Sequence, residues 1–203
     1  MPSLIDSIKG KALLAPLAGI SNLPFRLVAR SFGCPMAFTE MISANGLIRD
    51  SIRTFEYLKS SPEDKPLGMQ IFGADPEVMV RAAEIVAEHG ADFIDINMGC
   101  PVKKVVKTGA GAMLMKNPVQ AGRIIKAVVE KVNIPVTVKI RSGWSRGSIN
   151  ALELSKIAES EGARAIIIHA RTADQGYSGL ADWNVIGKVK NAIKIPVIGN
   201  GDI

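Results

Sequence analysis

Short apolar runs alternate with longer stretches of helical period along the chain. ALLAPLAG (12–19), MAFTEMIS (36–43), PLGMQIFG (66–73), FIDINMG (93–99), PVTVKIR (135–141), ARAIIIHA (163–170) and IPVIGNG (195–201) read as seven strands. Their continuous apolar character suits strands covered on both faces. Between them, PEVMVRAAEIVAEHG has helical spacing and ends in glycine, with Asp75 as N-cap and Pro76 behind it. NPVQAGRIIKAVVEKVN repeats that start with Asn117 and Pro118, and NALELSKIAESEGA and ADWNVIGKVKNAI supply two more helices. The alternation predicts parallel βα units. A complete eight-stranded barrel takes about 250 residues. The 203 residues therefore predict a TIM (β/α)8 barrel truncated after strand seven. An open doubly wound sheet alternates in the same way and is the competing architecture.

Period-two alternation inside the strands exposes the candidate chemistry. In PVTVKIR, Val136, Val138 and Ile140 share one face, and Thr137, Lys139 and Arg141 share the other. The apolar face predicts packing on helices. The polar face places Lys139 and Arg141 near the strand's carboxyl end, where an anion or an acidic neighbour offsets the cost of burying them. Glu40 closes MAFTE, Gln70 sits in LGMQIF, Asp95 and Asn97 share a face, and His169 follows three isoleucines with Arg171 at the same parity. His169 alone reads equally well as a satisfied core residue. Polar groups late in five strands predict one pocket at the end where barrel enzymes place their active sites.

The loop NMGCPVKKVVKTGAG carries Cys100 just beyond strand four, with Lys103, Lys104 and Lys107 after it. Lysines favour anions and a thiolate, whereas a thiol that stays protonated can donate a proton. A structural buried cysteine is the alternative reading of Cys100, and Cys34, ahead of a strand, reads as structural. No GxGxxG or GxxxxGK[ST] pattern is present. Gly109 and Gly111 predict a tight turn or close packing. GNGD after strand seven is better placed for phosphate, which many barrels hold near strands seven and eight.

Composition narrows these readings. Apolar residues make up 47% and charged residues 22%, and no run approaches the roughly 20 apolar residues of a membrane span. MPSLIDSIKG lacks a signal-peptide pattern, so a cytoplasmic location is expected. Two cysteines supply neither a disulfide framework nor a four-cysteine metal site. The formal charge of +6 is compatible with a polyanionic partner, as it is with many enzymes that bind none. Without a basic tail, RNA binding would fall to a folded surface.

APLAGISNLPFR, MQIFG, DINMGCPVKKVVKTGAG, VTVKIRSGW, HARTADQGYSG and GNGD together resemble the bacterial tRNA-dihydrouridine synthases of the DusB type. The likeness runs over nearly the whole chain, and DINMGCP followed by VTVKIRSGW is its most specific part. The resemblance implies an FMN-carrying barrel followed by a helical domain that helps bind tRNA. In that family NADPH reduces FMN, hydride passes to C6 of a uracil, and a cysteine donates a proton to C5. The resemblance makes Cys100 that cysteine. It matches Pro16, Leu17, Ala18, Gln70, Lys139 and His169 to flavin contacts, and Asn200, Gly201 and Asp202 to the phosphate-side loop. Asn97 and Arg141 become uracil or flavin-side contacts, and Lys104 a substrate contact. It implies tRNA as partner, with no membrane and no obligate protein partner. Two departures stand out: APLAG in place of the commoner APMAG, and Ala173 and Asp174 where relatives often add a basic residue. Strand eight, its glycine-arginine phosphate pair and the helical domain are expected to be missing, which would impair FMN binding and activity. Other readings are an FMN-dependent reductase of free pyrimidines, and a nonredox RNA-binding barrel fragment.

Overall fold

The computed structural model describes residues 8–203. Residues 1–7, most of the opening segment read above for a signal pattern, lie outside them. The strands are β1 (Ala37–Phe38), β2 (Ile42–Ser43), β3 (Leu67–Phe72), β4 (Phe93–Met98), β5 (Val136–Arg141), β6 (Ala165–His169) and β7 (Val197–Asn200). The helices are α1 (Leu23–Ser31), α2 (Ala44–Leu47), α3 (Ile52–Phe55), α4 (Pro76–Glu88), α5 (Lys103–Val106), α6 (Pro118–Lys131), α7 (Ala151–Ser160) and α8 (Trp183–Ala192). Asp75 and Asn117 cap α4 and α6 as expected, accepting from Val78 N–H and Gln120 N–H.

Every strand pair is parallel, and the order β1-β3-β4-β5-β6-β7 never reverses, with β2 also on β3. A doubly wound sheet needs a reversal in its strand order. The curvature agrees with a barrel: Leu13 near one end of the sheet and Ile198 at the other pack on the same inner cluster of Phe38, Phe93 and Ile167. The outward residues Val136, Val138 and Ile140 join the larger core under the helices, as their parity predicts. The architecture is therefore a parallel-stranded partial TIM barrel.

The first two strand expectations need correction. ALLAPLAG forms no regular strand, only one parallel bridge from Leu14 to Ala37. Pro16 has no N–H for a ladder, and the Leu17 carbonyl accepts from Ile20 and Ser21, which turns the chain away. MAFTEMIS is interrupted between β1 and β2. There the Thr39 hydroxyl accepts the Gln70 N–H, in place of a backbone carbonyl. Helix α1 had no counterpart in the apolar pattern; its signal was Asn22 before Leu23-Pro24, and Asn22 accepts from Phe25 N–H. A cleft of about 470 Å³ separates the segment around Leu13 from β7.

The inner cluster depends on a missing side chain. Phe38 and Phe93 meet edge to face at 5.2 Å. A Cβ on Gly68 would lie 2.2 Å from the Phe93 ring and 2.8 Å from Phe38. Gly68→Ala should therefore cost about 1–3 kcal/mol through overpacking. Gly187→Ala, on an exposed face of α8 with nothing within 4 Å of the new methyl, should gain about 0.5–1 kcal/mol. Thermal unfolding of the two variants checks the pair; equal midpoints would show that the ring contact does not constrain the barrel.

Candidate active site

Parallel register stacks the inward polar residues in rows. Gln70, Asp95 and Thr137 face one another across β3, β4 and β5. Asn97 pairs with Lys139 one row up, and Arg141, His169 and Asn200 form the row at the carboxyl end. Apolar Phe38 and Phe93 fill the barrel below, and Ile167 stands in register with Lys139. The upper rows open into a cavity of about 710 Å³ at the carboxyl ends of the strands. That volume is within the usual range for small-molecule and cofactor sites.

The cavity gathers the predicted residues almost completely. Pro16, Leu17 and Ala18 line one side, Gln70, Asn97 and Lys139 the floor, and Asn200, Gly201 and Asp202 the far rim, with Cys100, Arg141 and His169 between. Three expected residues do not line it: Lys104 is exposed on α5, Asp95 is fully buried, and Glu40 accepts from Gly19 N–H outside the cavity. Arg171 and Tyr177 also line it. Arg171 was foreshadowed by its shared parity with His169. Tyr177 had no periodicity to mark it, since it lies in the loop after β6.

Cys100 is half-buried in the loop after β4. Its N–H donates to Asn97 Oδ1 at 2.9 Å, and its carbonyl accepts from Ala112 N–H at 2.9 Å. Gly111 makes the second contact possible. It has φ +61°, and a Cβ there would stand 2.5 Å from the Cys100 carbonyl oxygen. Burial pushes the Cys100 thiol up, against the Val102 N–H and the Arg141 charge. The group is therefore a protonated thiol at neutral pH.

Cations dominate the surrounding walls. Lys139 lies deep in the barrel with part of its surface open to the cavity, and its Nζ donates to Asn200 Oδ1 at 2.8 Å. Burial pushes its ammonium down to about 8, with Asp95 pulling it up and Arg141 pressing it further down. Arg141 donates to the carbonyls of Gly99, Thr172 and Gly176, which clamps the Cys100 loop to the loop after β6. Arg171 donates to Asp202 at 2.6 Å and to the Gly179 carbonyl, and lies 3.3 Å from His169 Nε2. Burial, then Arg141, Lys139 and Arg171, push His169 down to about 4, against Asp202. A neutral His169 can accept the Arg171 hydrogen bond. Gly201 has φ +102°, and a Cβ there would meet the His169 ring at 2.8 Å, so the GNGD turn requires glycine next to the ring.

Among the described residues, three cations and one carboxylate, Asp202, line this cavity, and Asp202 is already held by Arg171 and by Ala181 N–H. The walls suit a ligand that brings negative charge. Lys139 retains donor capacity beyond Asn200.

Comparison with known proteins agrees with the motifs. The Dihydrouridine synthase (Dus) family profile matches residues 13–203. A probable tRNA-dihydrouridine synthase of Rhizobium leguminosarum bv. phaseoli is 42% identical over 97% of this chain and 62% of its own. One from Rhodobacter capsulatus is 44% identical over 98% of this chain and 62% of its own. A tRNA-dihydrouridine synthase B of Xanthomonas axonopodis pv. citri is 41% identical over 97% and 59%. The chain thus spans about three fifths of the length of these relatives. Among solved structures, a histamine dehydrogenase from a Rhizobium species superposes with TM-score 0.64 at 13% identity, over 94% of this chain and 40% of that one. A mandelate oxidase variant with benzaldehyde gives 0.61 at 17%, over 94% and 57%. At such identities the likeness is one of fold. The sequence matches go further: the chain belongs to the dihydrouridine synthase family, in its bacterial tRNA-dihydrouridine synthase B branch.

Proposed function

We propose that this chain forms the flavin-binding catalytic barrel of an enzyme that reduces uridines in tRNA to 5,6-dihydrouridine. The observation that carries the reading is the cavity itself, in which the protonated Cys100 thiol shares one space with Lys139, Asn97 and the GNGD turn. FMN, reduced by NADPH, would supply hydride to uracil C6. Gln70, Lys139 and His169 would hold the flavin ring, with Pro16, Leu17 and Ala18 along its other side. Asn200, Gly201 and Asp202, with Arg171 beside them, would form the phosphate end. Asn97 and Arg141 would orient the uracil. The cationic walls and the unspent donors of Lys139 support this fit.

Cys100 is assigned the proton donated to uracil C5. Burial favours this role, because a thiol held protonated until the step can act as an acid. The sulfur stays behind as thiolate, and Arg141 is the nearby charge that favours that form. The target base has to leave the RNA stack to reach this depth. Lys103, Lys104 and Lys107, exposed beside the mouth, are assigned to RNA phosphates rather than to the pocket. The cleft beside β7, with the greater length of the relatives, supports an eighth strand and a helical tRNA-binding domain in the whole protein.

Four outcomes follow from these assignments in the full-length enzyme. Denaturation should release a flavin identifiable by mass as FMN. Lys139→Met should weaken FMN affinity about 10–100-fold, the scale of a lost charged hydrogen bond, measured by fluorescence titration; unchanged affinity would remove Lys139 from the ring site. Cys100→Ala should leave NADPH-driven flavin reduction intact and slow reoxidation by tRNA about 10²–10⁴-fold in rapid mixing. Normal reoxidation would end the proton-donor assignment. Lys104→Ala should lower the salt slope of tRNA binding by about one, with the chemical step unchanged at saturating RNA. An unaltered slope would take Lys104 out of the RNA surface.

A further inference from the structure

Beneath the cavity floor lies a group that the proposed chemistry does not use. Asp95, in the middle of β4, is fully buried and does not line the cavity. Register sets it between Gln70 on β3 and Thr137 on β5. Thr137 Oγ1 donates to its Oδ1 at 2.6 Å, and Gln70 Nε2 donates to its Oδ2 at 2.6 Å. An ionised carboxylate only accepts hydrogen bonds. Gln70 must therefore turn its NH2 toward Asp95 and its Oε1 away. That oxygen accepts from Asn97 Nδ2 at 2.8 Å. Asn97 then presents Oδ1 to the loop, where it accepts Gly99 N–H at 3.2 Å and Cys100 N–H at 2.9 Å.

We infer that Asp95 is a positioning residue whose carboxylate sets the direction of a hydrogen-bond relay through Gln70 and Asn97 onto the backbone of Cys100. Its catalytic meaning rests on the proton-donor reading of Cys100 above. The two ends of an amide are nearly equal in size, so packing alone does not orient either side chain. Electrostatics does. A flipped Gln70 would set its oxygen against a carboxylate, and a flipped Asn97 would aim NH2 at two backbone N–H groups. Gln70 is 1% exposed and Asn97 7%, so little water is at hand to relieve a reversed bond. One charge thus determines which atom meets the Cys100 loop, two side chains away.

Protonation supplies the means of testing this. Burial pushes the Asp95 carboxyl up to about 6, with Thr137, Gln70 and the Lys139 charge pulling it down. Lys139 is the charged group facing it from β5, Gln70 on β3 is uncharged, and Arg141 and His169 stand two rows higher. Protonated Asp95 gains a donor, and the direction of the relay is no longer imposed.

The experiment is NMR on the isotope-labelled chain without flavin or RNA, so that failure of the proposed reaction does not affect its outcome. The side-chain amides of Gln70 and Asn97 and the N–H groups of Gly99 and Cys100 are followed from about pH 5 to about pH 7, a range that brackets the Asp95 transition and lies between those of His169 at about 4 and Lys139 at about 8. They should shift together with one midpoint at about 6, and stay flat in Asp95→Asn. Alkylation of Cys100 is measured in parallel in Cys34→Ser, which keeps a donor for the Met36 carbonyl. Corrected for thiolate fraction, its rate should rise about fivefold below the same midpoint, the equivalent of one net hydrogen bond. If either readout is flat in the folded wild-type chain, the proposal fails. It fails equally if Asp95→Asn keeps the transition. Should that variant not fold, the wild-type titrations decide alone.

Discussion

Asp95 and Lys139 place opposite charges inside a barrel whose lower half is closed by phenylalanine and isoleucine, and the pocket floor is arranged around the cost of keeping them there. Each feels burial as its largest perturbation and the other's charge as a counterweight. Neither is left to the pair alone. Asp95 takes two side-chain donors, and Lys139 reaches across to Asn200. Removing one member would leave its partner buried and uncompensated, the circumstance in which buried charges destabilise most. The pair thereby ties β4 and β5 to β3 on one side and β7 on the other. A row of strands becomes a single polar platform.

That platform sits at a definite height because the inner apolar cluster fills the barrel beneath it. Phe93 begins β4, and Asp95 and Asn97 follow on the same inward face. Reading upward, the inward face passes from a ring, to a carboxylate, to an amide, to the loop that bears Cys100. Arg141 completes the geometry from above. Its donors are largely spent on three backbone carbonyls, so it joins two mouth loops as well as lining the space between them. The positions of the thiol and of the loop carrying Tyr177 are therefore coupled through one guanidinium.

Much of this was legible in the sequence wherever the chain obeys one period for several residues. Val136 to Arg141 separates into helix-facing and cavity-facing sets by parity alone, and the helices starting at Pro76 and Pro118 announce themselves by their caps. Legibility fails where side chains substitute for backbone pairing. Thr39 takes the Gln70 N–H and breaks the second strand, and the Leu17 carbonyl turns the first. Apolar composition cannot reveal such substitutions. Lys104 shows a different limit: its place as a substrate contact could not be read from the sequence, and the short helix α5 sets it in solvent, outside the cavity. The direction of the Asp95 relay was invisible, because Gln70 and Asn97 lie 27 positions apart and meet only through parallel register.

The resolved shifts around the cavity have a common sense. The thiol of Cys100 is pushed up, and Lys139, Arg141 and His169 are pushed down, so each moves toward its neutral form. Asp202 alone moves toward its charged form, held at the exposed rim by Ala181 N–H and Arg171. Burial weakens every charge here, and the cations also press on one another. Negative charge entering the cavity would relieve both effects at once. It would restore the ammonium of Lys139 and offset the mutual repulsion of the cations at the mouth. The same charge would raise the pKa of the Cys100 thiol further. An anion in this cavity and a protonated Cys100 therefore stabilise each other, since negative charge nearby disfavours the thiolate.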